Sequence, residues 1–506
     1  MTQNANFFLS LQQGIQSSPN KPCITGPDFS ELSYAELENL SAQAANLLKD
    51  IGIKAGARIL VQTPKTSLGV AFYLACLRAG AIYVPLNIAY TLEELDYFIS
   101  DTEPDLFVCD SAKRGALQNL FSKHAIPNVL ELDASGQGSL LDQLKRYPAD
   151  HEIVPVATDD TAVILYTSGT TGKPKGAMLS HGNLDSNARS LFEIWGWQKD
   201  DVLIHALPIF HIHGLFVALH LSLLGGTSML FLSRFDAEQI IQLIPQATVL
   251  MGVPTFYTRL LKQEALNPER CKNMRLFVSG SAPLLEETFN DFAERSGHRI
   301  LERYGMSETG MLMSNPLDGE RVPGTVGFAL PGVSYRVCDD EGNTVKPGAI
   351  GTLQVKGPNV FKGYWRNPEK TQQEFSDGFF ITGDMVNEGN DGRISIVGRN
   401  KDLIISGGYN VYPKEVELVM DEFAEVSESA VIGVHHPDFG EAVVAVIVPS
   451  NPDQNLDESA MIGALKDQLA SYKVPKKILV KDELPRNTMG KVQKNLLRDE
   501  YGKLFS

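Results

Sequence analysis

The stretch YTSGTTGKPKG, from Tyr166 to Gly176, gathers hydroxyls, glycines and two lysines directly after the apolar run TAVIL. Glycines let the backbone come close to an anion, and free N–H, hydroxyl and ammonium groups supply the donors. Gly, Ser, Thr and Pro alone would read as a surface turn. The lysines flanking Pro174, straight after an expected strand, point instead to a phosphate loop. It is not a Walker A loop, which needs four residues between its glycines and a Ser or Thr after the lysine. Here only Thr170 and Thr171 separate Gly169 from Gly172, and Pro174 follows Lys173.

Four further stretches carry chemistry-bearing groups. ERYGMSETG, Glu302 to Gly310, puts an aromatic, a glycine and the carboxylate of Glu308 at a strand end, where open α/β sheets bind ligands. An ordinary solvated glutamate fits the same letters. In FFITGDMV, Asp384 follows an apolar run and a glycine, and a turn aspartate bonded to its own backbone is the plain alternative. Lys491, in PRNTMGKVQKNLLR, reads on composition alone as a solvated surface lysine. In PIFHIHGL, His211 and His213 lie two apart before an apolar helix. They could form a metal pair or be hydrogen-bonded core histidines, and no third ligand is visible.

The elements that must hold these groups follow from pattern. Residues 1 to about 155 alternate helical and strand signals, and the alternation continues past the glycine loop to RILERYGM, which implies parallel sheet with helices on its faces. From Gly324 short strands and turns suggest a smaller β subdomain. Beyond GRNKDLIISGG a separate α+β pattern of about a hundred residues suggests a small mobile domain. The expected division is 1–398, a hinge at 399–403, and 404–506. The fold class is therefore α/β: a large N-terminal domain of βα-alternating sheets plus a β subdomain, and a small mobile α+β C-terminal domain.

At 506 residues the chain should form more than one domain. A net charge of -16 argues against a general nucleic-acid binder, so an anionic ligand needs a local basic site. No transmembrane-length apolar run is seen. The start lacks a signal-peptide pattern, and five scattered cysteines without CxxC spacing suggest reduced thiols and a cytoplasmic location.

YTSGTTGKPKG closely resembles the phosphate loop of the adenylate-forming superfamily: acyl-CoA synthetases, peptide-synthetase adenylation domains and luciferases. The other four motifs follow in the family's order over nearly the whole chain. The resemblance implies ATP and Mg²⁺ as ligands and coenzyme A as co-substrate. It implies ATP contacts from Thr167, Ser168, Gly169, Thr170, Thr171, Gly172, Lys175, Ser281, Glu302, Tyr304, Gly305, Met306 and Ser307. Tyr304 would stack on adenine, Glu308 would hold Mg²⁺, and Asp384 with Arg399 would take the ribose. A carboxylate accepting two O–H donors suits a cis-diol. Lys491 would bond the carboxylate and α-phosphate, and His211 would stand beside the acyl carboxylate. The C-terminal domain would swivel about Lys401, bringing Ser406, Gly407 and Gly408 to the thiol channel. The family usually has Thr at Ser307 and at Asn487.

Substrate is read from Arg303. Relatives acting on aryl or fatty acids commonly carry glycine there, leaving space for a tail. Arginine would shorten and charge the pocket, which suits the far carboxylate of a short dicarboxylic acid. LERYGMSET, MGVPTFY and VSGSAPLL resemble malonyl-CoA synthetases, which implies malonate as the acid, with methylmalonate second. The alternatives are a medium-chain or aryl acyl-CoA synthetase with Arg303 turned away, and a stand-alone adenylation module loading a separate carrier protein. Oligomeric state is not legible.

Overall fold

The structure is a computed structural model and describes residues 4–167, 174–406, 409–451, 456–487 and 490–505. Two large sheets carry the N-terminal part, one of seven strands and one of nine. In the first, Arg58–Gln62, Ile82–Pro85 and Leu106–Cys109 run parallel, and Tyr83 pairs with Val163 of Thr161–Thr167. In the second, Ser228–Phe231, Val202–His205, Val249–Gly252, Leu276–Ser279 and Leu301–Met306 run parallel. Most of these strands are buried along nearly their whole length, as parallel strands must be. Their apolar runs are thus the cause of both the sheets and their burial.

The phosphate-loop region departs from βα alternation. Lys175–Ser180 returns antiparallel beside Thr161–Thr167, with Thr167 opposite Lys175, so the glycine loop joins two strands of a hairpin. A second reversal follows Leu301–Met306. Gly310–Ser314 pairs back on it, and a Cβ on Gly305 would sit 2.2 Å from the Gly310 carbonyl oxygen. Only glycine permits that turn. The helical signal of ELSYAELENL also begins later than its pattern suggests. Phe29–Ser33 is a strand, and Ser33 with Glu36 forms the capping box that starts Tyr34–Asp50. The apolar GLFVALHLSLLGG is a buried helix whose first part, His213–Leu219, is wound as a π-helix. No helix among the described residues is long and apolar enough to cross a membrane.

A five-stranded antiparallel sheet, including Ile350–Lys356, Phe379–Glu388 and Ile394–Arg399, forms the β subdomain. Residues from Ile404 onward have their own sheet, in which Val426–His436 pairs with Gly440–Pro449. Two apolar clusters, one on each side of that sheet's alternation, hold it: Val431, Val443 and Ile447 in one, Ile432, Val444 and Val446 in the other. The five cysteines are free and buried.

Candidate active site

The sheet ends bring three groups together. The first is built on Phe379–Glu388 and Ile394–Arg399, whose register sets Asp384 opposite Arg399. Arg399 Nε donates to Asp384 Oδ1 at 2.9 Å, and the Tyr304 hydroxyl donates to Asp384 Oδ2. Asp384 is buried, and both of its oxygens are thereby hydrogen-bonded. It also raises the Arg399 guanidinium above its usual range. Burial, then the Asp384 charge, pushes the Tyr304 phenol far up. Tyr304, Asp384 and Arg399 are thereby fixed as one unit that could seat an adenosine.

Lys491 joins this unit from the C-terminal part. Its ammonium is pulled down to about 8, first by burial and then by the Arg399 charge, against the favourable pull of Asp384. The loop carrying it is closed locally. Asn487 Oδ1 accepts the Lys491 backbone N–H at 3.0 Å, and Asn487 N–H bonds the Lys491 carbonyl at 3.0 Å. Asn487, a departure from the family pattern, therefore builds the loop. Gly490, at φ +74°, lies against Thr255, whose hydroxyl would be 3.1 Å from an added Cβ. Lys401 sits in the turn Asn400–Asp402 between the two parts, its ammonium lowered chiefly by burial and then by Arg399.

The second group surrounds Glu308. Burial raises its carboxyl, Oε1 lies 3.2 Å from the Tyr364 hydroxyl oxygen, and it accepts from the Thr167 hydroxyl at 3.4 Å. Tyr364 gives its hydroxyl hydrogen to Glu374, which pairs with Lys175 at 3.1 Å. Lys175 Nζ lies 4.5 Å from the Tyr364 ring centroid. A buried carboxylate with spare lone pairs suits a hard cation that keeps water and phosphate as its other ligands. Tyr364 and Glu374 gave no signal in the sequence, since nothing in GYWRNPEKTQQE singles them out.

The third group is the acyl side. Arg303 is 3% exposed, and its Nε and Nη2 have no hydrogen-bond partner. Burial pulls the guanidinium down to about 9, which still leaves it protonated at neutral pH. His211 is held neutral, its pKa pulled to about 3 by burial and then by Arg303. Its Nδ1 accepts the His213 backbone N–H at 3.2 Å. His213 Nδ1 meets the Ser281 hydroxyl at 3.4 Å, and Ser281 takes the unusual φ of +71°. The two histidines thus face a cation, which disfavours a metal between them; no group of three or more metal-ligating side chains occurs among the described residues.

Gly280 makes room for the guanidinium, because a Cβ there would lie 2.5 Å from Arg303 Cζ. Gly280→Ala should displace the guanidinium at a cost of about 1–3 kcal/mol. The expected result is a raised KM for a dicarboxylic acid with the KM for ATP unchanged. Equal loss for monocarboxylic and dicarboxylic acids would show general damage instead.

Other expected positions divide. Glu302 is buried and pushed up to about 8 by burial; Oε1 accepts the Leu284 N–H at 3.3 Å while Oε2 has no partner. Gly305, Met306 and Ser307 lie at the reversal after Tyr304. Ser406 pairs with Tyr409 and Gly440 in the C-terminal sheet. Ser168, Gly169, Thr170, Thr171, Gly172, Gly407 and Gly408 lie outside the described residues.

Sequence reasoning missed Lys65. It is half-buried, with Nζ 2.9 Å from His205 Nδ1 and donating to the His205 and Leu207 carbonyls. His205 Nε2 in turn bonds the Gly214 carbonyl at 2.9 Å. This chain ties down both ends of the segment bearing His211. Beside it opens a cavity of about 390 Å³, mainly apolar, lined by Lys65, Tyr83, Asn87, Phe210 and Phe256.

The comparisons with known proteins fall on the same regions. The family model described as AMP-binding enzyme matches residues 11–365, and its C-terminal domain model matches 415–491. A malonate–CoA ligase of Arabidopsis thaliana is 35% identical, over 93% of this chain and 85% of that protein. A feruloyl-CoA synthase of an Amycolatopsis species is 33% identical, over 93% and 94%. The crystal structure of ATP-bound MatB from Rhodopseudomonas palustris is 51% identical over the whole of both chains, with a TM-score of 0.97. Against the apo form of MatB the score is 0.84 at the same identity, so the conformation seen here is nearer the ATP-bound one. Malonate–CoA ligases are among the chain's relatives, and the chain itself belongs to the AMP-binding enzymes, as an adenylate-forming acid–CoA ligase.

Proposed function

We propose that the acid is malonate, with methylmalonate as a second substrate, and that the products are the CoA thioester, AMP and pyrophosphate. One observation carries this reading: Arg303 is buried and charged, with Nε and Nη2 unpartnered. Leaving such donors unpaired is costly, and a ligand carboxylate meets them bidentately. Malonate is short enough to offer one carboxylate to Arg303 and the other to reaction. The names of the malonate–CoA ligases support the same choice.

In the first step a malonate carboxylate oxygen attacks the α-phosphorus of ATP. The new O–P bond forms as the bond to pyrophosphate breaks. Both reactants are anions, so Lys491 acts by neutralising charge between them, while Tyr304, Asp384 and Arg399 hold the adenosine. Glu308 would hold Mg²⁺, which when bound neutralises phosphate charge. In the second step the CoA sulfur attacks the acyl carbon and AMP leaves. The cavity beside Phe210 is the route for the thiol arm.

The two steps divide at the turn Asn400–Asp402. Proline fixes φ near the helical value, so Lys401→Pro should be tolerated in the present arrangement and oppose rotation out of it. Pyrophosphate exchange should persist while thioester formation stops; loss of both together would refute a hinge at Lys401. For the reaction itself, product analysis with ATP, Mg²⁺, malonate and CoA should find AMP, pyrophosphate and malonyl-CoA in equal amounts. Formation of ADP and phosphate would overturn the scheme.

A further inference from the structure

One lysine of the first sheet reaches across to the second, on the acyl side, and the two-step scheme gives it no role. Lys65 follows the strand Arg58–Gln62. Its Nζ donates to the His205 carbonyl at 2.8 Å and to the Leu207 carbonyl at 2.9 Å, and lies 2.9 Å from His205 Nδ1. It also stands 4.0 Å from the Phe231 ring centroid.

Hydrogen counting fixes the protons in this cluster. The Gly214 carbonyl can only accept, so His205 Nε2 carries the hydrogen of their 2.9 Å contact. Burial, then the Lys65 charge, pulls the His205 pKa far down, so the ring is neutral and Nδ1 is bare. Lys65 therefore directs three hydrogens at three acceptors, two carbonyls and one ring nitrogen. Desolvation lowers the pKa of that ammonium against the pull of the Asp28 carboxylate. Three satisfied donors are nonetheless the geometry of the charged form.

The acceptors belong to a closed loop. His205 ends the strand Val202–His205, Gly214 lies in the first turn of the π-helix His213–Leu219, and their contact staples the two together. The loop is drawn tight: a Cβ on Gly214 would lie 2.1 Å from the Pro208 carbonyl oxygen. Between the staples stand Phe210, on the cavity wall, and His211, which feels the Arg303 charge. A loop has no ladder to hold a side chain in place. Lys65 and His205 supply that constraint from outside it.

We infer that Lys65 is a positioning residue for the acid: through His205 and the Gly214 carbonyl it sets where His211 stands beside the carboxylate to be activated. The inference rests on the acid–CoA ligase reading and adds a control on the acyl side separate from Arg303. Lys65 and His205 take no part in bond making.

The test is acid-dependent pyrophosphate exchange, which needs no thiol, so effects of Lys65 on the cavity it lines do not enter. Lys65→Met keeps the length of the side chain and removes its donors. It should raise the KM for malonate and for propionate alike by roughly ten- to a hundredfold, the scale of a group displaced by about an ångström, with the KM for ATP within about twofold. Arg303→Gly, by contrast, should separate the two acids. His205→Gln, which can still donate to the Gly214 carbonyl, should keep a lower acid KM than His205→Leu. Lys65→Met combined with His205→Leu should cost little more than the worse of the two alone, because both break one relay. An unchanged acid KM in Lys65→Met would overturn the inference. So would a loss falling equally on acid and ATP, since Lys65 would then merely tie the sheets together. Should Lys65→Met not fold, the His205 pair decides: equal acid KM values in His205→Gln and His205→Leu would overturn the relay. If exchange in the unaltered enzyme fails with malonate but proceeds with another acid, the dicarboxylate reading falls and the relay is tested with that acid.

Discussion

Lys491→Ala is expected to slow adenylation by roughly a hundredfold or more, the scale of removing one preorganised charge contact from a transition state. The expectation comes from its position: Lys491 stands with Arg399 and Asp384, on a loop closed by Asn487 and seated against Thr255. The pH dependence supplies a second readout. A lysine pulled down to about 8 is charged at neutral pH and loses its proton as pH rises through that value. The ammonium is the active form, so kcat/KM for adenylation should fall on the alkaline side of about pH 8, and that limb should vanish in Lys491→Ala. Thioester formation from supplied acyl adenylate should be spared, because the second step is proposed to follow rotation of Lys491 out of the site. If a folded Lys491→Ala protein loses both half-reactions equally, the two-conformation scheme is wrong.

Arg303→Gly is expected to be as damaging for malonate and harmless for propionate. Burying the far carboxylate without its partner costs about 2–5 kcal/mol, or roughly thirtyfold to several-thousandfold in kcat/KM. Propionate has no such carboxylate, and in the unaltered enzyme it leaves the Arg303 donors unpaired. Its turnover should hold or improve once the guanidinium is gone. His211 provides an internal control, since its depressed pKa owes its second cause to the Arg303 charge and should move back up in the variant. Should Arg303→Gly weaken both acids alike, Arg303 is structural and the dicarboxylate reading is lost. The assignment to acid–CoA ligases would stand.

The sheets were legible because parallel strands are written as short apolar runs between helical patterns, as in Ile82–Pro85 and Leu276–Ser279. The two reversals were not, because turn direction depends on what the returning strand pairs with, and KGAMLS carries no mark of its antiparallel partner. Tyr304, Asp384, Arg399 and Lys491 stood out through motif order, and the structure brings them into one group. Lys65 was hidden because a lysine after a strand reads as solvated; its ammonium is held by carbonyls and a histidine from residues 205–207, far along the chain. Gly280 was hidden for a related reason. Its role is an absence of Cβ beside Arg303, which is visible only once the neighbouring strands are aligned.

The central claim is that a buried arginine makes this ligase select a short dicarboxylic acid, and the ratio of kcat/KM for malonate to that for propionate in the unaltered enzyme tests it most directly. The measurement needs only pyrophosphate release at fixed ATP and CoA, with acetate, succinate, benzoate and octanoate alongside. Malonate should exceed propionate by at least roughly thirtyfold, the lower end of a desolvated charge pair, with methylmalonate next and the longer acids slow. Propionate, benzoate or octanoate turning over as well as malonate would contradict it, because Arg303 would then be selecting against no acid at all.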